Sequence, residues 1–218
     1  MKKIATIVPS RGRPNHIIRL HELFFNTSIE SDLYVVIDQD EIDLYPALPN
    51  IHYRVLPQMK LNQKLNAVAL SLIDKYEYIA FFGDDVEPRT YGWDEVLIRP
   101  LRDNIGISYG NDLLQEENLP NNVVISSQII KELGFMAPTT LKHFYIDNFW
   151  KELGLAINRL YYNPNVILEH MHPLNQKSDI DQTYNSGWSS LEEDQLEFSN
   201  YINKQLDDDV LKIKKILN

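Results

Sequence analysis

Apolar residues follow two rhythms along this chain, and the first hundred residues alternate between them. Ile4 to Val8 is a short apolar run stopped by Pro9, which predicts a buried strand. From Pro14 and Asn15 onward, Ile17, Leu20 and Phe24 recur at helical spacing. Leu33 to Ile37 is a second β-branched run ending at Asp38, and Tyr53 to Leu56 is a third, closed by Pro57. Leu61, Leu65, Val68, Ala69 and Leu72 return to the spacing of an amphipathic helix. Tyr78 to Phe82 predicts a fourth strand that ends abruptly in Gly83-Asp84-Asp85. Strands alternating with helices of this length require crossover connections, so the predicted class is α/β with a mostly parallel sheet flanked by helices.

After Pro88 the rhythm loosens. Tyr91 to Leu101 and Leu141 to Leu153 predict helices, and Ser127 to Leu133 predicts another with Gly134 at its carboxyl end. Ile105 to Tyr109, Val123 to Ser126 and Val166 to Met171 predict strands. Pro173 to Ser190 is polar and reads as a long loop of the kind that serves as a lid. Phe198, Ile202, Leu206, Val210, Ile213 and Leu217 then predict a closing C-terminal helix. The 218 residues contain no internal repeat, and at about 150 residues per domain they suit a single domain.

Charge changes the picture in one respect. Lys plus Arg number 21 against 31 for Asp plus Glu, a formal net charge of −10, which argues against broad adhesion to nucleic acid or anionic lipid. Glu192, Glu193, Asp194 and Asp207 to Asp209 read as a solvated helix face. The absence of cysteine excludes disulfides, thiol nucleophiles and cysteine zinc sites. Lys2 and Lys3 before an apolar run imitate the start of a signal peptide, but Pro9, Ser10 and Arg11 cut that run short. No stretch approaches the roughly 18 to 20 apolar residues of a membrane span, so a soluble, cytoplasmic protein is expected.

Chemistry gathers at the predicted strand ends. In an open α/β sheet, ligands bind outside the carboxyl ends of the strands. Those ends here are Ser10-Arg11-Gly12-Arg13, Asp38-Gln39-Asp40 and Asp84-Asp85. Adjacent carboxylates such as Asp84 and Asp85 repel each other unless a cation lies near. Mg²⁺ and Mn²⁺ favour one or two carboxylates together with substrate phosphates. In Glu169-His170-Met171-His172-Pro173, alternation along a strand puts both histidines on one face, as candidate metal ligands. Asp147 would share a helix face with His143 and Lys151, where it is either a general base at the edge of a site or an ordinary surface acid.

Taken together, these segments resemble the GT-A, family-2-like glycosyltransferases over roughly residues 3 to 185. Ile7 to Pro14 is similar to the family's opening strand and nucleotide-binding turn. Asp38 matches its second-strand acid, Lys60 to Asn66 its lysine- and asparagine-containing helix start, and Tyr78 to Pro88 its DxD segment. Gly83 stands where many members carry another Asp, and the motif of processive polysaccharide synthases is absent. The resemblance implies a single GT-A domain over 1–218, with a nucleotide-sugar half (1–110), an acceptor-side half (111–173) and a lid loop with C-terminal helix (174–218). It implies a donor site of Pro9, Ser10, Arg11, Arg13, Asp38, Lys64, Asn66 and Asp84. It implies Mn²⁺ or Mg²⁺ on Asp85 and on His172 or His170, with His172 favoured because Pro173 fixes it at the loop hinge. Asp147 falls where the acceptor-activating base is expected, and Tyr184 and Trp188 fall in the lid. The implied reaction is inverting transfer of one sugar, from a UDP-sugar by preference, to a glycan hydroxyl or a modified nucleic-acid base. A sugar-phosphate nucleotidyltransferase and a non-catalytic carbohydrate-binding or assembly protein are the rival readings.

Overall fold

The structure is a computed structural model that describes residues 2–177 and 188–217. Its centre is an eight-stranded sheet: β1 (Ile4–Pro9), β2 (Ser31–Asp38), β3 (Ile51–Leu56), β4 (Tyr78–Phe81), β5 (Val86–Pro88), β6 (Ile107–Asn111), β7 (Val123–Ser126) and β8 (Leu160–His170), in the order β3-β2-β1-β4-β7-β6-β8-β5. The pairings β3–β2, β2–β1, β1–β4 and β6–β8 are parallel, while β7 and β5 run against their neighbours. The mostly parallel sheet expected from the alternating rhythm is therefore present.

Helices cover both faces, which is why the central strands are apolar on both sides. Successive strand residues alternate between the layers. Ile4 and Val8 join Leu33, Val35 and Ile37 in packing against α1 (Pro14–Thr27) and α3 (Trp93–Ile98), through Ile17, Leu20, Phe24, Trp93 and Leu97. Ala5 and Ile7 join Tyr34, Val36 and Ile79 on the other face. There they pack against α2 (Leu61–Leu72), α4 (Ser127–Leu133), α5 (Ile146–Ala156), α6 (Leu191–Lys204) and α7 (Leu206–Ile216), through Leu65, Leu72, Ile130, Phe149, Trp150, Tyr201 and Ile213.

Four features differ from the sequence expectation. The helix predicted from Leu141 begins only at Ile146, because the buried Asp194 carboxylate accepts the backbone N–H groups of Lys142, His143 and Phe144 at 2.7, 2.9 and 2.9 Å. Those three residues are held as a loop, Tyr145 turns with φ 65°, and Asp147 sits in the first turn of α5 with His143 off the helix. The closing helix is two helices that break at Gln205, although the apolar spacing runs through the break. The acids at that end are not all solvated. Asp194 and Asp209 are fully buried, the latter accepting Tyr201 Oη at 2.9 Å and Lys212 Nζ at 2.6 Å. Finally, β5 was not foreseen, since three residues carry no periodicity, and β8 starts six residues before the predicted run. Most of the expected lid loop, including Tyr184, lies outside the described residues. Among the described residues no helix is long and apolar enough to cross a membrane.

Candidate functional site

Because β2, β1 and β4 are parallel neighbours, their polar carboxyl ends open onto one crevice. The three segments singled out in the sequence bond directly to one another there. Ser10, the first residue after β1, donates its Oγ–H to Asp84 at 2.7 Å and lies 3.0 Å from Tyr45 Oη. Tyr45 Oη also accepts the Arg13 backbone N–H at 3.3 Å. The Arg13 guanidinium donates to Asp84 at 2.9 Å and stands 3.9 Å from Asp85. Pro9, the last residue of β1, is in register with Val36 of β2 and sets this turn in place.

A second group forms at the end of β2. Asp38 is fully buried and held between Lys64 Nζ at 2.7 Å and Arg11 at 2.6 Å. Arg11 also makes two bonds to Asp40, at 2.9 and 3.1 Å. Asp40 first and then Asp38 raise the Arg11 pKa, and the same contact holds Asp40 below the usual carboxylate range. Asn66, expected beside Lys64 as a donor contact, faces another way. Its amide oxygen accepts the N–H groups of Met136 and Ala137, at 2.8 and 2.9 Å, and its Nδ2 donates to the Ala137 carbonyl at 2.8 Å. It ties α2 to the loop that leads to α5.

The third group is assembled by β5. Pairing of Val86 with His170 brings the Asp85 turn against the end of β8, where Met171 N–H donates to the Asp85 carbonyl at 2.9 Å. His170 Nε2 then lies 3.4 Å from Asp85 Oδ1, and His170 Nδ1 lies 3.9 Å from Asp112. The His172 ring packs on His170 at 4.8 Å between centroids. A side chain at position 83 would put its Cβ 2.6 Å from Asp85 Oδ1, so a glycine is what lets the Asp85 carboxylate fold back over the turn.

These contacts split the titration of the acids. Burial and the neighbouring Asp85 charge raise the Asp84 carboxyl, against Arg13 and Ser10. Burial also acts to raise Asp85, but His170 and Arg13 outweigh it and the net shift is downward. For His170, burial lowers and Asp85, Asp112 and Asp147 raise, with a net rise, while burial and His170 lower His172. Burial raises the carboxyl of Asp147, a half-buried residue. Its Oδ1 accepts the Asn148 N–H at 2.9 Å, and its charge adds to those of Asp85 and Asp112 in raising the His170 pKa.

Among the described residues, no three Asp, Glu, His or Cys side chains converge as a complete metal site. The donors present nevertheless fit a hard divalent cation that completes its shell from a diphosphate and water. Asp85 is drawn below the usual carboxylate range, His170 Nε2 faces it, and the buried His170 Nδ1 has no hydrogen-bond partner. Sequence reading missed Tyr45, Asp112 and His16, whose Nδ1 is 4.0 Å from Asp84. Tyr45 and Asp112 carry no local signal, and only the fold brings them in.

No protein-family model matches this chain, and no curated protein sequence does. Solved structures do match it in fold. Residues 1–349 of S. aureus TarS are 14% identical with a TM-score of 0.57, over 77% of this chain and 59% of that one, so this chain spans about three-fifths of that fragment. The fragment is also known with UDP and with UDP-GlcNAc. The mannosyltransferase PcManGT from Pyrobaculum calidifontis, in complex with GDP-Man and Mn²⁺, is 11% identical with a TM-score of 0.61, over 96% of this chain and 72% of that one. The catalytic domain of Drosophila β1,4-galactosyltransferase 7, in complex with xylobiose, is 14% identical with a TM-score of 0.53, over 84% and 76%. At such identities the likeness is one of fold, and the fold is that of the GT-A glycosyltransferases.

Proposed function

We propose that this chain transfers one sugar from a nucleotide diphosphate sugar, a UDP-sugar by preference, to an acceptor hydroxyl, with inversion at the anomeric carbon. One observation carries the reading: Ser10, Arg13, Asp84, Asp85 and His170 converge at the carboxyl ends of β1 and β4, in a fold whose known examples include enzymes bound to UDP, UDP-GlcNAc and GDP-Man. Asp85 with His170, or with His172 after a small rotation, would hold Mn²⁺ or Mg²⁺. When bound, that ion neutralises charge on the departing diphosphate. Arg13 already carries a positive charge to the same place and shares in that neutralisation.

The uracil preference rests on hydrogen-bond pattern. Lys64 beside Asp38 offers a donor next to an acceptor, which complements a carbonyl oxygen and the neighbouring N3–H on uracil's edge. Asp38 is covered by Arg11, so a base reaches it when Arg11 turns toward Asp40, to which it is already bonded. Asp84 is left for the ribose side, and Asn66 acts by holding the 136–137 loop. Asp147 is the base: its raised carboxyl takes the proton of an acceptor hydroxyl as that oxygen attacks opposite the leaving nucleotide.

A thermal-shift panel tests the donor. UDP-sugars, GDP-sugars and CMP-sugars are compared with and without Mn²⁺, since a ligand stabilises the folded state by mass action. The expected result is a shift of several degrees with a UDP-sugar and Mn²⁺ together. No shift with any donor would favour a non-catalytic binding or assembly protein. Pyrophosphate release from UTP and a sugar phosphate would favour the nucleotidyltransferase.

A further inference from the structure

The His170 ring has one nitrogen that the metal reading leaves unexplained. Its Nε2 lies 3.4 Å from Asp85, while its Nδ1 is shut off from water and has no hydrogen-bond partner among the described residues. A buried ring nitrogen needs a partner whether it carries a proton or a lone pair. The charged group facing it is Asp112, whose Oδ2 stands 3.9 Å away and whose side chain is 4% exposed.

Asp112 is held in place from two sides. It follows β6, and its carbonyl accepts the His170 N–H at 3.0 Å, so the end of β8 is tied to the same residue that faces the ring. Its carboxylate is fixed by the loop beyond. Oδ1 accepts the N–H groups of Leu114, Gln115 and Glu116 at 3.0, 2.7 and 2.9 Å, and Oδ2 accepts Asn121 Nδ2 at 2.6 Å. Within that loop Leu113 and Glu116 have φ of 59° and 53°, a left-handed backbone that residues other than glycine seldom adopt. A carboxylate oxygen accepts about two hydrogen bonds, so Oδ2 keeps a place for an N–H from Nδ1.

From this arrangement we infer that Asp112 is a positioning residue that keeps the His170 proton on Nδ1, so that the Nε2 lone pair is what meets the ion shared with Asp85. The inference rests on the reading of His170 as a metal ligand. A proton on Nε2 instead would leave the Nδ1 lone pair buried against an anionic oxygen, with no water between them. On the Nε2 side the Asp85 carboxylate is 17% exposed, and water or an ion can meet the lone pair there. A carboxylate behind a histidine sets the tautomer of many metal ligands in this way. A closer approach by about 1 Å turns the Asp112 contact into an ordinary N–H···O bond.

Two readouts separate the ring from the metal. Protein carrying isotope-labelled histidine is compared by proton–nitrogen correlation NMR in mildly alkaline, metal-free buffer, where neutral rings show which nitrogen holds the proton. The parent should show His170 as the Nδ1–H tautomer. Asp112→Asn retains an acceptor oxygen for the 114–116 turn and can present an amide N–H to Nδ1, so it should show Nε2–H. Mn²⁺ binding in the presence of UDP is then followed by electron paramagnetic resonance of the free ion. Asp112→Asn should weaken it about tenfold or more. Asn121→Ala loosens the same carboxylate while keeping its charge, and should leave the tautomer unchanged and Mn²⁺ binding within about twofold. An Nε2–H parent, an unchanged tautomer in Asp112→Asn, or an equal loss of Mn²⁺ in Asn121→Ala would each overturn the role of Asp112. The parent spectrum alone can refute it, so the test survives a variant that folds poorly. His170→Ala isolates the reading beneath. Parental Mn²⁺ affinity in that variant would remove His170 as a ligand and the inference with it, whereas lost affinity there beside an Nε2–H parent refutes Asp112 alone.

Discussion

Asp194 and Glu193 are neighbours of equal charge, and the structure assigns them opposite weights. The Asp194 carboxylate accepts three backbone N–H groups and is fully buried. Glu193 is exposed and pairs with Lys142 at the surface. A hydrogen bond to a charged group contributes about 1.5 to 3 kcal/mol. Lys142 and His143 keep solvent contact, so water replaces part of the loss in Asp194→Ala, and a net cost of about 3 kcal/mol follows. With an unfolding entropy of about 2.1 cal/mol/K per residue, a chain of 218 residues loses about 6.5 °C in Tm. Asp194→Asn retains one acceptor oxygen and should lose about half as much. Glu193→Ala should stay within about 2 °C, as an exposed ion pair contributes at most about 1 kcal/mol. Calorimetric melting of the three variants decides the matter, and amide exchange at residues 142 to 144 should quicken only in the Asp194 variants. If Asp194→Ala melts within about 1 °C of the parent, or no lower than Glu193→Ala, the carboxylate does not hold this loop.

Asp147→Asn should abolish transfer while UDP binding, measured by calorimetry, stays within about threefold. Since burial raises the Asp147 carboxyl, the folded state binds a proton more tightly than the unfolded state does, and ionised Asp147 costs stability. That cost grows as pH rises through the unfolded value toward the raised folded one, so Asp147→Asn should melt higher than the parent at pH 8 and equal to it at pH 4. The acid limb of kcat/KM should likewise sit above the ordinary carboxylate range; a limb at or below that range would remove Asp147 as the base. Lys64→Met strips one partner from buried Asp38 and should cost about 3 kcal/mol in urea unfolding, whereas Asp38→Leu with Lys64→Met should cost less than the single change, as both charges are then gone. A double variant that is the less stable of the two would show that the pair is net stabilising.

Much of the site was legible because its residues lie at the ends of strands with clear hydrophobic runs. Ser10, Arg13 and Asp84 follow β1 and β4 while Asp38 ends β2, and parallel neighbours align such ends without help from anything distant. The 141–145 segment was misread because Leu141 and Tyr145 have helical spacing, while the carboxylate that holds this stretch as a loop is about fifty residues away. Alternation put both histidines on one face in sequence, and Pro173 favoured His172. They differ in space because β8 pairs with β5, a strand of three residues that brings Asp85 to His170.

The alternation of the longer strands and helices in the first hundred residues, the flanking of the sheet by helices and the polar strand ends were thus determined by sequence alone, because each depends on residues close together in the chain. The meaning of the acidity was decided by tertiary structure. Burial turned Asp194 and Asp209 from apparent surface charge into fastenings, the fold set Asp38 between two cations, and His170 and Arg13 drew the Asp85 pKa down while burial and its neighbour's charge raised that of Asp84. A carboxylate's role depends on which donors and charges face it once water is excluded, and those partners come from anywhere in the chain.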